Sequence, residues 1–213
     1  MAKAHPTQDE YNWKVYTQEY SAQVGEMEQT AGRNGSDFLV KNSKVTDSGI
    51  KFQDNLHGNW EGIYSEIHKL KPQTVFECGC GGMYHLKNIK TLFPNIGVSG
   101  CDLLQTQIDF GTERFNVGQD LLKNVTARDF TLPNATDSLG LYEFVYSHAV
   151  MMHLSQEKGL KFLRNMLKIS TKYVYFIEGD QHDYMDLLVS LGEVKNWNVT
   201  RPRAHNSWLL TRV

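Results

Sequence analysis

Apolar residues between residues 59 and 213 fall alternately into short runs and into helically spaced positions. The short runs predict strands at Thr74–Cys78, Gly97–Asp102, Val125–Ala127, Leu141–Ser147 and Tyr173–Glu178. The helical spacings predict helices at Asn59–Leu70, Tyr84–Phe93, Thr106–Phe115, Gln156–Ser170 and Tyr184–Leu191. Because strands that alternate with helices are typical of a parallel sheet covered on both faces, we predict an α/β fold.

The C-terminal segment breaks this alternation. Trp197–Thr200 and Ser207–Val213 are rich in β-prone residues, and only residues 201–206 lie between them. A connection of this length is too short for a helix that crosses over between parallel strands. The pattern therefore predicts an antiparallel hairpin at the end of a mostly parallel sheet.

The N-terminal region differs from the rest of the chain. Residues 1–58 are polar overall, but they contain a helical stripe of apolar and aromatic residues, namely Trp13, Tyr16, Tyr20, Val24 and Met27. We predict an N-terminal helical cap or extension over residues 1–58 and the main α/β domain over residues 59–213. The stripe fits a helix packed on the domain and also a mobile lid over the active site.

Composition and charge exclude several classes of protein. Of the 213 residues, 40% are hydrophobic and 22% are charged, which is typical of a globular protein. Lys and Arg total 22 against 24 Asp and Glu, and no basic run predicts a nucleic acid partner. The chain shows neither the apolar core of a signal peptide nor the roughly 18 apolar residues of a membrane span, so we expect a cytoplasmic protein with no membrane partner.

The cysteines predict neither a disulfide framework nor a metal site. Their number, 3, is odd, which agrees with a reducing compartment. Cys78, Cys80 and Cys101 could surround zinc, but a structural zinc site usually needs a fourth ligand at a recognisable spacing. We therefore predict small residues in tight strand ends and no metal. The sequence makes no prediction of oligomeric state.

The strongest chemical signal is the segment of residues 74–83. An apolar strand runs into Glu77 and then into a turn with Gly79 and Gly81 that opens a helix. Because glycine has no Cβ, such a turn allows the backbone to approach a ligand closely, and a nucleotide-like cofactor is expected across it. A dinucleotide motif would need a third glycine where Tyr84 stands, which disfavours NAD.

This segment resembles the first motif of the class I S-adenosylmethionine-dependent methyltransferases, apolar-apolar-Glu-x-Gly-x-Gly. The matching residues are Val75, Phe76, Glu77, Gly79 and Gly81. The family often has another glycine two positions after Gly81, where this chain has Met83. The resemblance covers residues 59–213. It implies a Rossmann-like, seven-stranded sheet with helices on both faces, and S-adenosyl-L-methionine as the cofactor, bound by Glu77, Gly79, Cys80 and Gly81.

Later strand ends extend the resemblance. Asp102 ends the second predicted strand, where a carboxylate can accept hydrogen bonds from both ribose hydroxyls. The resemblance implies this role for Asp102 and a contact of Leu103 with the adenine. Asp129 and Phe130 stand where the family commonly has an acid and an apolar residue beside the adenine amino group. Ser147, at the end of the fourth predicted strand, is expected to line the same pocket.

Three histidines are candidate catalytic residues. His148 and His153 follow the fourth predicted strand, and a neutral imidazole there could take a proton from a hydroxyl or amine. Each could instead only hydrogen-bond the backbone. His182 belongs to the segment Glu178–Asp183, whose ionisable side chains could contact substrate, act as a base or hold a metal. The plainer alternative is a solvated loop that caps the next helix.

These observations predict an S-adenosylmethionine-dependent methyltransferase that acts on a hydroxyl or amine of a small molecule or sugar. The Asn/Asp-Pro-Pro-aromatic motif of enzymes that methylate exocyclic amines of nucleic acid bases is absent, and Tyr146–Ala149 stands in its place. A protein acceptor is left open. So are aminopropyl transfer, lyase chemistry, a non-catalytic methyltransferase-like subunit and, least favoured, an NAD-binding oxidoreductase.

Overall fold

The structure is a computed structural model that describes residues 39–54, 56–203 and 206–213. Its strands are β1 (Lys44–Thr46), β2 (Gly49–Lys51), β3 (Thr74–Cys78), β4 (Gly97–Asp102), β5 (Val125–Ala127), β6 (Tyr142–His148), β7 (Ser170–Ile177), β8 (Trp197–Thr200) and β9 (Ser207–Arg212). Its α-helices are α1 (Gly58–Leu70), α2 (Tyr84–Leu92), α3 (Gln105–Phe115), α4 (Gln119–Leu122), α5 (Gln156–Ile169) and α6 (Tyr184–Ser190). Short 3-10 helices lie at Met151–His153 and Val194–Asn196.

Seven strands form one sheet in the order β5-β4-β3-β6-β7-β9-β8. The first five of these are parallel to their neighbours, whereas β9 runs antiparallel to both β7 and β8. The predicted seven-stranded α/β sheet with a C-terminal antiparallel hairpin is therefore confirmed. The chain reverses its direction of progress across the sheet between β3 and β6, and ligands of such sheets bind at the carboxyl ends of the strands beside this point.

The core lies on both faces of the sheet because the central strands are apolar on both sides. Val75 and Phe76 are successive residues of β3 and pack into separate clusters on opposite faces. The first cluster includes Ile63 of α1 and Ile89 of α2. The second includes Leu163 of α5 together with residues of α6. Burial of both faces explains why these strands read as continuous apolar runs in the sequence.

The N-terminal region contains one element that the helical pattern did not predict. Residues 44–51 form a two-stranded antiparallel hairpin, β1 and β2, which is separate from the main sheet. The Thr46 hydroxyl donates a hydrogen bond to the Gly49 carbonyl at 2.9 Å and closes its turn. Local turn chemistry therefore decides the structure here. The predicted helical stripe from Trp13 to Met27 lies outside the described residues.

Helix α3 packs directly on the glycine turn that follows β3. A Cβ atom added at Gly111 of α3 would lie only 2.0 Å from the carbonyl oxygen of Gly82. Real Cβ atoms do not approach backbone this closely, so the absence of a side chain at Gly111 allows the helix to support the turn.

We predict that Gly111→Ala destabilises the fold although alanine is the better helix former. The backbone contact with Gly82 outweighs the gain of up to about 1 kcal/mol in helix propensity, and we expect a net loss of about 1–3 kcal/mol in the free energy of unfolding. Denaturant unfolding measures it. Gly140→Ala is the matched control because an added Cβ there meets nothing within 4 Å. Equal stability of the two variants would contradict the contact.

Candidate functional site

One cavity opens at the carboxyl edge of the sheet, beside the ends of β3, β4 and β6. Its walls come from the glycine turn, from residues 101–104 and 128–131, and from the turn after β6. The predicted site residues that line it are Glu77, Gly79, Cys80, Gly81, Asp102, Leu103, Asp129, Phe130, His148 and His153. Strands that are far apart in sequence thus bring most of the predicted set together.

The glycine turn is fastened to the end of β4. The backbone N–H groups of Gly79 and Cys80 both donate to the Cys101 carbonyl, at 2.8 and 2.9 Å. Gly79 and Gly81 have φ angles of +77° and +47°, a region that side-chain-bearing residues rarely adopt. Gly81 also lines the cavity, and a Cβ added there would meet only Gln107 Oε1, at 3.8 Å. The turn therefore offers bare backbone and open space to a ligand.

The carboxylate of Asp102 connects the glycine turn to the segment that follows β4. Oδ2 accepts the Gly81 N–H at 2.8 Å, and Oδ1 accepts the Leu104 N–H at 2.9 Å. Burial raises the pKa of the Asp102 carboxyl, while these backbone donors act in the opposite direction. Because each carboxylate oxygen has two lone pairs, Asp102 retains acceptor capacity for a ligand's hydroxyls.

Glu77 is a buried carboxyl with an unused oxygen. It is 1% exposed, and its Oε2 makes no hydrogen bond within the described part of the chain. Burial raises the pKa of Glu77 well above its ordinary value; the adjacent Tyr146 hydroxyl lowers it in part, and the Asp102 charge raises it further. A buried acceptor without a donor is costly. A cationic or N–H-bearing ligand group in the cavity would satisfy it.

The opposite wall contains Leu103, Asp129 and Phe130. Leu103 is 37% exposed and lines the cavity. Phe130 stacks on Phe76 at a ring distance of 6.0 Å. Asp129 Oδ1 accepts the backbone N–H of Thr131 at 2.9 Å and its hydroxyl at 2.6 Å. This wall combines an apolar surface with a carboxylate, which is what recognition of an aromatic base with an amino group requires.

Ser147 and His182 are not among the residues that line this cavity, and their roles in cofactor binding and in catalysis stay predictions. Side chains alternate along β6, so Ser147 lies on the opposite side from His148 and donates to Glu178 Oε1 at 2.7 Å. His182 Nε2 donates to the carbonyls of Met151 and Leu154, at 3.0 and 2.9 Å. Both residues stabilise the turn after β6 from outside the cavity.

Glu178 organises the same turn. Besides the hydrogen bond from the Ser147 hydroxyl, Glu178 accepts hydrogen bonds on Oε2 from the backbone N–H groups of Val150 and Met152, at 2.8 and 3.3 Å. A second acid of this loop, Asp183, caps α6 by accepting hydrogen bonds from the backbone N–H groups of Met185 and Asp186. Within the described ranges, no three His, Cys, Asp or Glu side chains are grouped so that they could hold a metal ion.

His148 sits at the end of a polar chain that the sequence did not reveal as a unit. Its Nδ1 lies 3.3 Å from His85 Nε2, and His85 Nδ1 lies 2.9 Å from the Tyr64 hydroxyl. Asn88 continues the chain by donating to Tyr64 at 2.8 Å. The available signal was spacing, because His85, Asn88, Ile89 and Leu92 share the buried stripe of α2, where polar residues are unexpected.

The two histidines of this hydrogen-bonded chain, His85 and His148, are neutral at neutral pH. Burial lowers the pKa of His85 well below its ordinary value, with a further contribution from His148. Burial and the charge of His57 lower the pKa of His148 to about 4. The sequence-predicted His153 also lines the cavity, from the 3-10 helix that follows β6. At the end of β6, the cavity therefore contacts the neutral imidazole of His148 at neutral pH.

Comparisons with known proteins agree on the fold. The plantazolicin methyltransferase BpumL, solved with a triazolic desmethylPZN analog and SAH, matches with a TM-score of 0.59 and 12% identity over 92% of this chain and 91% of that one. Magnesium protoporphyrin IX methyltransferase from Synechocystis PCC 6803, solved with SAM, matches with a TM-score of 0.56 and 15% identity over 95% and 100%. The chain has the Rossmann-like fold of class I S-adenosylmethionine-dependent methyltransferases, as the first motif implied.

Sequence comparison is less informative. No model of a protein family matches the chain. An uncharacterized protein of Rickettsia prowazekii (strain Madrid E) is 26% identical over 100 residues, which are 47% of this chain. The match spans 39% of that relative's length.

A separate observation concerns membranes. No helix in the described ranges combines the length and the apolar character that are needed to span one.

We predict that Glu178 makes stability fall as pH rises from about 4.5 to about 7. Burial raises the pKa of its carboxyl to about 7 from an ordinary 4.5. The folded protein therefore holds this proton more tightly than the unfolded chain, and the associated stabilisation is lost as pH rises through that window. Thermal unfolding across this range measures the trend.

Two variants of Glu178 separate its proton from its hydrogen bonds. Glu178→Gln retains an oxygen for the N–H groups of Val150 and Met152 and an amide donor for Ser147, so we expect near-parental stability without this pH dependence. Glu178→Ala leaves buried donors without acceptors and is expected to cost about 1–3 kcal/mol for each. An unchanged pH dependence in Glu178→Gln would assign the trend to another group.

Proposed function

We propose that this protein is an S-adenosylmethionine-dependent methyltransferase that transfers a methyl group to a hydroxyl or amine of a small molecule or sugar. One observation carries the proposal: the free oxygen of Glu77, the bare backbone of the glycine turn and the carboxylate of Asp102 converge in one cavity. The cavity lies where the sheet changes its direction of progress, which is the usual ligand site of such folds.

The residues present fit this cofactor from end to end. Glu77 Oε2 would accept a hydrogen bond from the ammonium of the methionine part, near the positive sulfonium. The glycine turn would pass its backbone against the cofactor, and Asp102 would accept from the ribose hydroxyls. Leu103, Asp129 and Phe130 would hold the adenine. Solved proteins of the same fold contain this molecule or its demethylated product, which supports the assignment.

Methyl transfer requires the protein mainly to align the two reactants and to exclude water. When bound, the sulfonium supplies a methyl group that is already activated for displacement. The chain's own residues must orient the acceptor and exclude water, and orientation alone can contribute about 7–11 kcal/mol in favourable cases. His148 and His153 line the part of the cavity beside the end of β6, so they are the side chains we assign to the acceptor.

The nature of the product separates this proposal from its rivals. Methyl transfer releases S-adenosylhomocysteine. Aminopropyl transfer and lyase chemistry consume the cofactor but do not release S-adenosylhomocysteine. A non-catalytic subunit would bind the cofactor and turn nothing over, and an oxidoreductase would bind NAD instead. Thermal-shift titration with S-adenosylhomocysteine and with NADH comes first, and an acceptor screen that detects released S-adenosylhomocysteine comes second. Stabilisation by NADH alone would refute the proposal.

We predict that Asp102→Ala weakens binding of S-adenosylhomocysteine about tenfold to a hundredfold, because each hydrogen bond to a charged group contributes about 1.5–3 kcal/mol. Isothermal calorimetry measures the affinity. Asp109→Ala is the matched control, since Asp109 is exposed on α3 and accepts only from Gln105 Nε2 in the part of the chain described. Thermal unfolding of both variants monitors the fold. Parental affinity in a folded Asp102→Ala protein would show that the cofactor assignment is wrong.

A further inference from the structure

A continuous hydrogen-bonded chain runs from the backbone of Val40 to His148 at the cavity. The Val40 N–H donates to Asn88 Oδ1 at 2.8 Å, and Asn88 Nδ2 donates to the Tyr64 hydroxyl at 2.8 Å. Tyr64 contacts His85 Nδ1 at 2.9 Å, and His85 Nε2 contacts His148 Nδ1 at 3.3 Å. Asn88, Tyr64 and His85 are all at least 98% buried, so water does not compete for these groups.

The first bond of this chain fixes the direction of all the others. A backbone N–H can only donate, so Val40 requires the oxygen of the Asn88 amide, and the Asn88 nitrogen then donates to Tyr64. The Tyr64 hydroxyl has one proton, which must go to His85 Nδ1. The reverse arrangement would leave the buried Tyr64 O–H without an acceptor among the described residues, at a cost of about 1–3 kcal/mol.

The same logic continues through the two imidazoles. A neutral His85 that accepts on Nδ1 carries its proton on Nε2 and donates it to His148 Nδ1. A neutral His148 that accepts on Nδ1 carries its own proton on Nε2. Each residue in the chain is neutral, because burial lowers the pKa values of both histidines and raises the pKa of Tyr64. His57 and Glu77 are the titratable groups outside this hydrogen-bonded chain that influence its pKa values.

We propose that His148 presents an N–H donor to the acceptor substrate, and that this substrate is an oxyanion such as a carboxylate or an ionised phenol. The inference rests on the proposed function; it replaces the open choice of hydroxyl or amine with an oxygen acceptor and extends that class to carboxylates. In this tautomer, the lone pair of His148 is already used by His85, so His148 cannot take a proton from the substrate. A protonated amine would face this N–H donor with donors of its own, whereas an oxyanion would accept from it.

The reaction balances without a base. A lone pair of the substrate oxygen forms the new carbon–oxygen bond as the methyl carbon–sulfur bond breaks, and the electron pair of that bond remains on sulfur. An anion and a sulfonium become two neutral groups, a methyl ester or aryl ether and a thioether, and no proton moves. The proximity of Tyr84, which lines the cavity and packs against His85 at 4.6 Å between ring centroids, favours a flat aromatic acceptor.

The position of the proton can be measured without any ligand. Long-range proton–nitrogen correlation spectra of histidine-labelled protein, assigned with His148→Gln, should show His148 protonated on Nε2 alone. A proton on Nδ1 would overturn the inference. Tyr64→Phe removes the hydroxyl that fixes His85, so we expect the second tautomer of His148 to appear. Tyr173→Phe, outside the chain, should leave the spectrum unchanged, and an unchanged spectrum in Tyr64→Phe would show that the chain does not fix the proton.

The substrate class can be tested with two probes of similar shape. Benzoate and benzylammonium are titrated into the protein with saturating S-adenosylhomocysteine, and the His148 Nε2–H signal is followed. We expect benzoate to shift this signal and benzylammonium to bind at least about tenfold more weakly. A shift with benzylammonium at equal concentration, or no shift with millimolar benzoate, would overturn the oxyanion assignment. Failure to bind S-adenosylhomocysteine would instead refute the proposed function. The two failures can be told apart because the tautomer of His148 is measured without any ligand.

Discussion

The attachment of the glycine turn to the end of β4 is the interaction on which the site depends. Strands β3 and β4 are parallel and in register, with Cys78 opposite Cys101. The chain leaving β3 can therefore return its first N–H groups to the Cys101 carbonyl, and Asp102 then accepts the N–H of Gly81. Only residues that tolerate positive φ can follow this path. The shape of the cavity is thus set by backbone hydrogen bonds, and the side chains of Glu77 and Asp102 are placed as a consequence.

Three buried or partly buried carboxyls meet this edge of the sheet and are used differently. Asp102 and Glu178 each hold a turn together by accepting backbone N–H groups. Glu77 has no such backbone donor on Oε2 within the described ranges. An unpaired buried acceptor lowers stability, and a ligand that donates a hydrogen bond to this oxygen would remove that cost. The hydrogen bonds of each carboxyl therefore separate Glu178, which only holds a turn, from Asp102, which holds a turn and keeps acceptor capacity, and from Glu77, whose Oε2 has no donor in the described ranges.

The sequence predicted the sheet well because its central strands are buried on both faces and therefore appear as apolar runs. The predicted fourth strand ended at Ser147, whereas β6 includes His148. Since successive residues of a strand face opposite sides, adjacent positions at this end have different surroundings, and Ser147 contacts Glu178 instead of the cavity. The sequence did not predict the hairpin of β1 and β2, because the residues of a short turn determine it and such residues show little hydrophobic periodicity.

The chain from Val40 to His148 could not be predicted from residue types, because its members are brought together only by tertiary packing. Val40 and Asn88 are 48 positions apart, and His85 and His148 are 63 apart. A histidine beside a cofactor cavity suggests a base, yet a neutral imidazole donates or accepts according to what its second nitrogen contacts. Here that contact depends on a backbone N–H four hydrogen bonds away. The chemical character of His148 is therefore a property of the buried network, and any change that reverses one bond of the network would exchange a donor for an acceptor at the cavity.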